Sequence, residues 1–290
     1  MQLTYKAPCA ELAKLENLWI QLTNVSCNIK CKHCFLDCRH DIKKKNFLDL
    51  VKIYNFLNND FVDLKKIYLT GGEPFLHPKI NEIVRLALEK SDVTICSNGT
   101  LLNEKKVKIL KTLEEETTNK LMLRLSLDHF TEGRNDEYRG SGVFKKVLNA
   151  FACLQRYKIK TDLICVNLKN DDEELLKKGF LSLFAKHKLK LGADDIKIVP
   201  LLKMGNYAKY YNISETKKHV TFDDIQNFDM DILDCKNSRV MTIDGIYSCP
   251  ALVNDPRGKL GEELYDAATK VYLETQTCFD CISRRDKLFC

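Results

Sequence analysis

The chain has 290 residues and a mass of 33.5 kDa, enough for one large domain or for one domain with a small appendage. Its 46 Lys and Arg residues exceed its 40 Asp and Glu residues, but the lysines are spread over amphipathic segments rather than gathered in a basic block. We therefore expect no nucleic-acid partner, no membrane association and no secretory signal. A cytoplasmic location is expected, and in that reducing compartment 13 cysteines indicate metal or redox chemistry rather than disulfides.

Short apolar runs alternate with longer amphipathic segments over the first 205 residues. The apolar runs predict six strands, at 17–23, 66–70, 93–97, 121–128, 160–166 and 195–201. Helical periodicity predicts five helices between them, at 46–59, 79–90, 103–116, 143–157 and 172–188. This repeat is typical of a parallel α/β structure, but periodicity alone does not distinguish an open sheet from a barrel. Both folds bind ligands at the carboxyl ends of the strands, where "TGGEP", "SNGT", "SLDHF" and "VPLLKMGN" lie.

The cysteines fall into two groups. Cys27, Cys31 and Cys34 form a C-x3-C-x2-C pattern after the first predicted strand, with Cys38 close behind. Three thiolates on one loop leave a fourth metal position open, which favours an iron–sulfur cluster with one open iron. A closed zinc site that also uses Cys38 is the alternative. The second group, in the last fifth of the chain, comprises Cys235, Cys249, Cys278, Cys281 and Cys290.

The order of "CNIKCKHC", "TGGEP", "SNGT" and "SLD" resembles the radical S-adenosylmethionine (radical SAM) superfamily, over residues 17 to about 205. This resemblance implies an α/β fold, a partial (β/α)6 barrel of the TIM type. It also implies a [4Fe-4S] cluster on Cys27, Cys31 and Cys34, with S-adenosylmethionine bound to the fourth iron, and an electron donor such as flavodoxin or ferredoxin. His33 departs from the Tyr or Phe that the family usually places before the third cysteine.

The resemblance further implies which residues contact S-adenosylmethionine. The "GGEP" turn corresponds to the family's site for the methionyl amino group, and later strand ends correspond to its ribose, carboxylate and adenine contacts. The implied contacts are Gly71, Gly72, Glu73, Pro74, Ser97, Asn98, Ser126, Asp128, Arg139, Val199 and Leu201. Strand alternation also predicts inward-facing polar residues that are either substrate contacts or satisfied polar groups of the barrel. These are Gln21, Arg124, Asn167 and Lys197.

The C-terminal cysteines resemble those of the twitch domain, a shortened relative of the SPASM domain that carries an auxiliary [4Fe-4S] cluster. "CKNSRVMTIDGIYSCP" predicts a hairpin between Cys235 and Cys249, and "CFDC" supplies Cys278 and Cys281. The C-x2-C-x5-C-x3-C run of full SPASM domains is missing, so one auxiliary cluster is expected rather than two. Cys290 is a fifth candidate ligand, and a structural zinc ribbon suits the same number of sulfurs.

These features predict four regions: an N-terminal extension (1–16), a radical SAM partial barrel (17–205), a linker (206–234) and a twitch/SPASM-like domain (235–290) with a helical stretch near 262–274. The predicted function is that of an oxidoreductase or maturase. It cleaves S-adenosylmethionine reductively to a 5′-deoxyadenosyl radical, which removes hydrogen from a substrate carbon.

Two substrate classes remain open. A peptide is favoured, although the segment before the first strand is too short for a separate peptide-recognition domain. A small-molecule dehydrogenase or epimerase of natural-product or cofactor biosynthesis is the alternative. A zinc-binding interaction protein on an α/β scaffold is a third hypothesis, but such a protein has no need of "TGGEP" or of ordered polar residues at successive strand ends.

Overall fold

The computed structural model describes residues 7–39, 46–59, 63–213 and 218–284. The strands within them are β1 (Cys9–Ala10), β2 (Asn17–Gln21), β3 (Lys66–Thr70), β4 (Asp92–Ser97), β5 (Leu121–Ser126), β6 (Lys160–Asn167), β7 (Ile196–Pro200), β8 (Ser238–Thr242), β9 (Gly245–Tyr247), β10 (Lys259–Gly261) and β11 (Val271–Tyr272). The α-helices are α1 (Leu50–Leu57), α2 (Ile80–Leu88), α3 (Glu104–Glu115), α4 (Glu132–Arg139), α5 (Val143–Arg156), α6 (Glu173–Lys186), α7 (Asn206–Tyr210) and α8 (Gln276–Arg284). Short 3-10 helices span Pro74–Leu76, Ala193–Asp195, Asp223–Ile225, Met230–Ile232, Asp234–Lys236, Pro250–Leu252, Pro256–Gly258 and Leu264–Ala268.

Strands β2 to β7 form a continuous parallel run in sequence order, with helices in the connections between them. Register runs from Asn17 opposite Lys66 at one end to Asn167 opposite Pro200 at the other. All six predicted strands and all five predicted helices are present, most of them a few residues shorter than predicted. The predicted (β/α)6 partial barrel is therefore confirmed, while α4 and α7 were not predicted.

Side-chain alternation along β5 separates the core from the concave side of the sheet. Leu121, Leu123 and Leu125 are fully buried among the helices, as the alternating apolar pattern predicts. Arg124 and Ser126 point the other way, into a cavity. The strand therefore supplies core packing on one face and polar groups on the other.

Side chains cap the N-terminal ends of two of these helices. Asn103 accepts a hydrogen bond from the backbone of Lys106 (3.0 Å) at the start of α3, and Asp172 accepts one from Leu175 (2.8 Å) at the start of α6. Each capped helix then packs a stripe of buried apolar residues on the sheet, three of them in α6: Leu176, Phe180 and Phe184.

The sheet continues beyond the barrel into the C-terminal region. Strand β8 pairs in parallel with the outer edge of β2, β9 pairs antiparallel with β8, and β10 pairs antiparallel with β9. The predicted hairpin between Cys235 and Cys249 is confirmed by the β8–β9 pairing. Hydrogen bonds of one sheet thus join the predicted barrel region to the predicted last domain, and the boundaries between the regions stay predictions.

The helical stretch predicted near 262–274 is wrong for most of its length. Only Leu264–Ala268 is helical, as a short 3-10 turn, and β11 follows it. Val271 and Tyr272 are residue types that favour strands, and they pair antiparallel with Cys9 and Ala10 of β1. A long-range partner that local periodicity does not register therefore decides the structure here. The "CFDC" cysteines lie on α8 itself.

A second, smaller apolar core surrounds the C-terminal cysteines. It is distinct from the main core between the sheet and the helices, and its fully buried members are Ala10, Val220, Leu233, Leu252, Val271, Leu273, Cys278 and Ile282. Among the helices of the described residues, none is long and apolar enough to cross a membrane.

Candidate active site

A cavity of about 220 Å³ lies at the carboxyl ends of the parallel strands. Its walls include Cys27, Cys31, Cys34 and Cys38, and also Cys96 of β4. Seven of the residues that the sequence implied as S-adenosylmethionine contacts line it as well: Gly71, Gly72, Ser97, Asn98, Ser126, Arg139 and Val199. The loop cysteines and the polar strand ends, separated by up to 172 residues of sequence, therefore face one space.

The loop that carries the cysteines is closed at its base by backbone hydrogen bonds. The amide of Cys27 donates to the carbonyl of Arg39 (3.0 Å), and the amide of Arg39 donates to the carbonyl of Val25 (2.9 Å). The loop between them is thereby held as a closed unit on the end of β2, and the thiols keep their positions without help from a disulfide.

Two glycines let the turn after β3 approach this loop. A Cβ atom on Gly72 would lie 1.8 Å from the carbonyl oxygen of Ser26, so no other residue fits there without displacing the loop. Gly71 has φ +130°, and a side chain on it would crowd Thr23 at 2.9 Å. The amide of Gly72 donates to Thr23 Oγ1 (2.9 Å), which fixes the turn beside Cys27.

A clamp that was not predicted holds the other side of the loop. Asn206 donates from its backbone to the carbonyl of Cys34 (2.8 Å), and its side-chain amide donates to the carbonyls of Cys31 and Cys38 (3.2 Å each). A Cβ on the preceding Gly205, which has φ +59°, would meet the carbonyl oxygens of Phe35 and Cys34. The Gly-Asn pair in "KMGN" was the sequence signal for this contact.

Glu73 connects the ends of β3 and β4 instead of facing the cavity. Its carboxylate accepts hydrogen bonds from Phe75 N (3.1 Å), Ser97 Oγ (2.9 Å) and Asn98 N (2.9 Å), and the side chain is fully buried. Burial raises the pKa of Glu73, and these three donors oppose that rise. Glu73 thus holds Ser97 and Asn98, which do line the cavity, and its direct contact with the methionyl amino group stays a prediction.

Asp128 likewise works through its neighbours. Its carboxylate accepts two hydrogen bonds from Arg139 (2.5 and 2.8 Å) and lies 3.1 Å from His33 Nε2. Burial alone would raise the pKa of Asp128, but Arg139 and His33 outweigh it and lower the pKa. Asp128 does not line the cavity, whereas Arg139 and His33 do, so it positions those two side chains, and its contact with the cofactor stays a prediction.

Two buried polar atoms of the cavity wall have no hydrogen-bond partner among the described residues: Gln21 Nε2 and His33 Nδ1. Burial lowers the pKa of His33 to about 4, so the ring is neutral at neutral pH. Its Nε2 then carries the proton toward Asp128, and Nδ1 is left as an acceptor. Unpaired buried polar groups cost free energy. The Gln21 amide donor and the His33 Nδ1 acceptor are therefore available to a polar ligand in this cavity.

Arg124 supplies a second buried cation to the wall. Asp162 of β6 accepts its hydrogen bonds at 2.8 to 3.2 Å, which fixes the guanidinium on the inner face of the sheet as strand alternation predicted. Gln21 also lines the cavity, as predicted, but the inward predictions for Lys197 and Asn167 are wrong. Lys197 is exposed, and the Asn167 side chain bonds to the backbone of Asp171.

Pro74 and Leu201 also lie outside the cavity wall. Pro74 is buried at the start of a 3-10 helix, and the apolar residues that follow β7 into the cavity are Pro200 and Leu202 instead of Leu201. A strand that ends at Pro200 no longer alternates strictly, so one-residue assignments beyond its end fail.

The C-terminal cysteines share a second, small cavity of about 40 Å³. Cys235 comes from the 3-10 turn before β8, Cys249 follows β9, and Cys278 and Cys281 lie one turn apart on α8. Burial raises the pKa of all four thiols. Cys290 lies outside the described residues, and within those residues no three His, Cys, Asp or Glu side chains are arranged to hold a single metal ion.

One short segment separates the two cavities. Pro250 and Val253 line the larger cavity, while Cys249 and Leu252 line the smaller one. Asn254 then donates to the carbonyl of Leu36 in the cysteine loop (3.0 Å). The two cysteine sites are therefore neighbours across one layer of chain.

Residues 22–178, more than half of the chain, match the family model described as "Radical SAM superfamily". The chain therefore belongs to the radical SAM superfamily, whose members bind S-adenosylmethionine at a [4Fe-4S] cluster.

Individual relatives agree with this membership. The antilisterial bacteriocin subtilosin biosynthesis protein AlbA of Bacillus subtilis (strain 168) is 30% identical over 136 residues, 46% of this chain and 29% of AlbA. A GTP 3′,8-cyclase of Clostridium perfringens (strain SM101 / Type A) is 26% identical over 211 residues, 70% of this chain and 61% of the cyclase. The chain thus spans less than two thirds of the length of these relatives. The solved structure of native anSMEcpe with bound AdoMet has a TM-score of 0.62 at 19% identity, over 91% of this chain and 82% of that one, and shares its fold.

Proposed function

We propose that this protein is a radical SAM maturase that removes a hydrogen atom from a carbon of a peptide substrate, assisted by an auxiliary [4Fe-4S] cluster. One observation carries the first half of the proposal: Cys27, Cys31 and Cys34 face one cavity together with the Gly71–Gly72 turn and Arg139. A protein that merely stored zinc would have no use for those polar strand ends.

The residues of the larger cavity fit the absent cofactors. Three thiols of one loop can bind three irons and leave the fourth open. Gly71 and Gly72 leave backbone groups accessible to an amino group, and the Arg139 guanidinium lies where it can meet a carboxylate. Gln21 Nε2 and His33 Nδ1 offer an unused donor and acceptor.

When bound, the reduced cluster supplies an electron that splits S-adenosylmethionine into methionine and a 5′-deoxyadenosyl radical, which takes hydrogen from the substrate. This chain's own residues orient the reactants. Asp128 fixes Arg139 and His33 at the wall, and Glu73 fixes Ser97 and Asn98. An external donor such as flavodoxin or ferredoxin is the proposed source of the electron.

The second cysteine site fits one closed auxiliary cluster. Cys235, Cys249, Cys278 and Cys281 line one cavity, which is the number of ligands that leaves no open iron. The segment from Cys249 to Val253 borders both cavities, so a cluster there lies beside the space where a substrate radical forms. A cluster held by these four cysteines would be placed to accept an electron from that radical.

The peptide substrate is supported by the names of two similar proteins. AlbA is a bacteriocin biosynthesis protein, and anSMEcpe has a solved structure with bound AdoMet and Cp18Cys peptide, with a TM-score of 0.60 at 16% identity, over 93% of this chain and 83% of that one. A small-molecule substrate is the second candidate. It is favoured by the similarity to GTP 3′,8-cyclase over 70% of this chain.

The first experiment is the iron, sulfide and zinc content of anaerobically purified protein, with electron paramagnetic resonance (EPR) spectra of the reduced protein with and without S-adenosylmethionine. About eight irons and eight sulfides per chain are expected, with one signal that shifts on adding the cofactor. About four irons with one zinc would remove the auxiliary cluster from the proposal, and zinc alone would overturn it. Deuterium transfer into 5′-deoxyadenosine from a pool of deuterated peptides, but not from deuterated GTP, is expected. The reverse result would establish the small-molecule candidate.

A further inference from the structure

Arg239 is an arginine with no exposed surface at all. It lies in β8, where the sheet of the barrel continues into the C-terminal region, and Leu18 of β2 is its neighbour in register. Among the described residues it is the largest side chain that is fully buried. A permanently charged group in such a place needs a counter-charge.

The hydrogen bonds of Arg239 are made to carbonyl groups only. Its Nε donates to Ala267 O (2.7 Å), its Nη1 to Cys235 O (2.5 Å) and Ser238 O (2.7 Å), and its Nη2 to Thr269 O (3.3 Å). These bonds connect β8 with the turn that carries Cys235 and with the chain before α8. They satisfy the donors of the guanidinium, but no carbonyl carries the negative charge that would balance it.

No carboxylate fills that role in the part of the chain that the structure describes. Every ion pair found there within 4 Å involves other cations. Burial lowers the pKa of Arg239, and the side chain of Cys235 is the neighbouring group that opposes this lowering.

The counter-charge that the geometry offers is therefore the second cysteine site. Cys235 lines the small cavity together with Cys249, Cys278 and Cys281. Four thiolates carry more negative charge than a zinc ion or a [4Fe-4S] core neutralises, so either centre is an anion. A loaded site therefore places an anionic centre beside the Cys235 turn, whose carbonyl the guanidinium binds.

We infer that Arg239 is the buried counter-cation of an anionic metal–thiolate centre held by Cys235, Cys249, Cys278 and Cys281. The guanidinium fixes the Cys235 turn through its carbonyl and stabilises the centre electrostatically. The identity of that centre as an iron–sulfur cluster rests on the proposed function. A single zinc ion, which the described side chains are not arranged to hold, would require the four thiols to move together and would then need the same counter-charge.

Two variants of the full chain separate charge from shape. Arg239→Met removes the charge and keeps much of the length, and Arg239→Lys keeps the charge but loses the planar fork. In reconstituted protein, Arg239→Met is expected to lose metal from the second site to a chelator about tenfold faster than wild type, since removing an outer partner of a metal site costs about 10- to 100-fold in affinity. The midpoint potential of the second cluster should also become more negative, because a positive charge near the cluster favours its reduced form.

Arg239→Lys should remain close to wild type in both respects. The EPR signal of the second cluster is the one that S-adenosylmethionine leaves unchanged, so it can be followed in the complete enzyme. Wild-type retention and potential in Arg239→Met would overturn the inference. So would equal losses in the Met and Lys variants, because the fork and not the charge would then matter.

Thermal unfolding distinguishes a counter-cation of the metal centre from a residue that only stabilises the fold. Arg239→Met loses the hydrogen bonds to four carbonyls in both forms, so it should lower the unfolding temperature in both, but more with metal bound, where the counter-charge is lost as well. A lowering of equal size in both forms, or a Met variant that does not fold even without metal, would overturn the inference.

The metal content of the wild type is read separately. Zinc in place of iron at the second site would refute the auxiliary cluster of the proposed function. Chelator-driven zinc loss from the two variants would still decide the role of Arg239.

Discussion

The two cysteine sites of this molecule differ in the arrangement of their cysteines and in the size of the cavity that the cysteines line. Three cysteines of the first site lie on one short loop and face a cavity of about 220 Å³ whose wall contains an unused donor and acceptor. The four cysteines of the second site come from three separate segments and surround only about 40 Å³. The first arrangement leaves room for a ligand that exchanges with solvent, while the second has room only for a small, enclosed centre.

The supports of the two sites differ accordingly. The loop of the first site is held through its own carbonyl groups. Gly72 packs against the carbonyl of Ser26, and Asn206 donates to carbonyls of the loop, so the thiols remain free to face the cavity. The second site is supported by regular structure, since β8, β9 and α8 fix the cysteines. Damage to the first site should therefore affect chemistry, and damage to the second should affect how the chemistry ends.

The largest expected difference concerns cleavage of S-adenosylmethionine in the absence of substrate. Cys31→Ala should reduce it more than about 100-fold, because losing a ligand costs at least as much as losing an outer partner of a metal site. Cys281→Ala should leave it within about twofold of wild type, as expected for independent sites. Formation of 5′-deoxyadenosine by the reduced, reconstituted protein measures both.

Cys153→Ala is the control for thiol loss as such. Cys153 lies on α5, away from both cavities, and should be neutral in the same assay. Equal losses in the Cys31 and Cys281 variants would contradict the division between the two sites.

The next effect tests the polar network of the first site. Asp128→Asn leaves the buried Arg139 without its counter-ion and should lower the free energy of unfolding by about 3–5 kcal/mol. Because the pKa of Asp128 lies below the ordinary 3.8, the contribution is complete above pH 3.8 and is lost as the pH falls further. Urea unfolding of metal-free protein should thus show the two proteins converging in acid.

A surface ion pair provides the comparison. Glu132→Gln removes the partner of Lys145, and both side chains are largely exposed, so a change below about 0.5 kcal/mol is expected. A similarly small change in Asp128→Asn would show that the network does not stabilise the fold.

A smaller effect is expected from the glycine that lets the turn after β3 reach the cysteine loop. Gly72→Ala places a methyl group against the carbonyl of Ser26 and should destabilise the protein by about 1–3 kcal/mol, with reduced loading of the first cluster only. Gly133→Ala, in α4 with open space around its Cα, should be neutral or stabilising by up to about 1 kcal/mol. Iron content and urea unfolding distinguish the variants, and equal loading in both would refute the close approach.

The sequence predicted the first region better than the second for a physical reason. Strand alternation and helical periodicity are local signals, and they were sufficient for β2 to β7 and for the inward side of Arg124. The cofactor contacts of Glu73 and Asp128 came from the resemblance and stay predictions, and the structure shows both carboxylates holding neighbouring strand ends outside the cavity wall. Spacing alone does not tell a residue that faces a cavity from one that supports its wall.

The C-terminal region depended on partners far along the chain. Strand β11 pairs with β1, more than 250 residues away, and β8 joins the outer edge of β2. Local sequence patterns do not indicate such long-range pairings, and for that reason the stretch near 262–274 was predicted as a helix. The clamp of Asn206 on the cysteine loop was missed for the same reason, since its three acceptors lie about 170 residues earlier.

The smallest effect concerns the contact between the two regions. Asn254→Ala removes the hydrogen bond to the carbonyl of Leu36 and should cost about 1 kcal/mol, as should Asn119→Ala, which removes a similar bond to the carbonyl of Leu88. Only the first variant frees the cysteine loop, so only it should release iron from the first site faster, by about fivefold for 1 kcal/mol. Chelator kinetics on the two variants measure this difference. Equal release rates would mean that the C-terminal region lies beside the first site without steadying it.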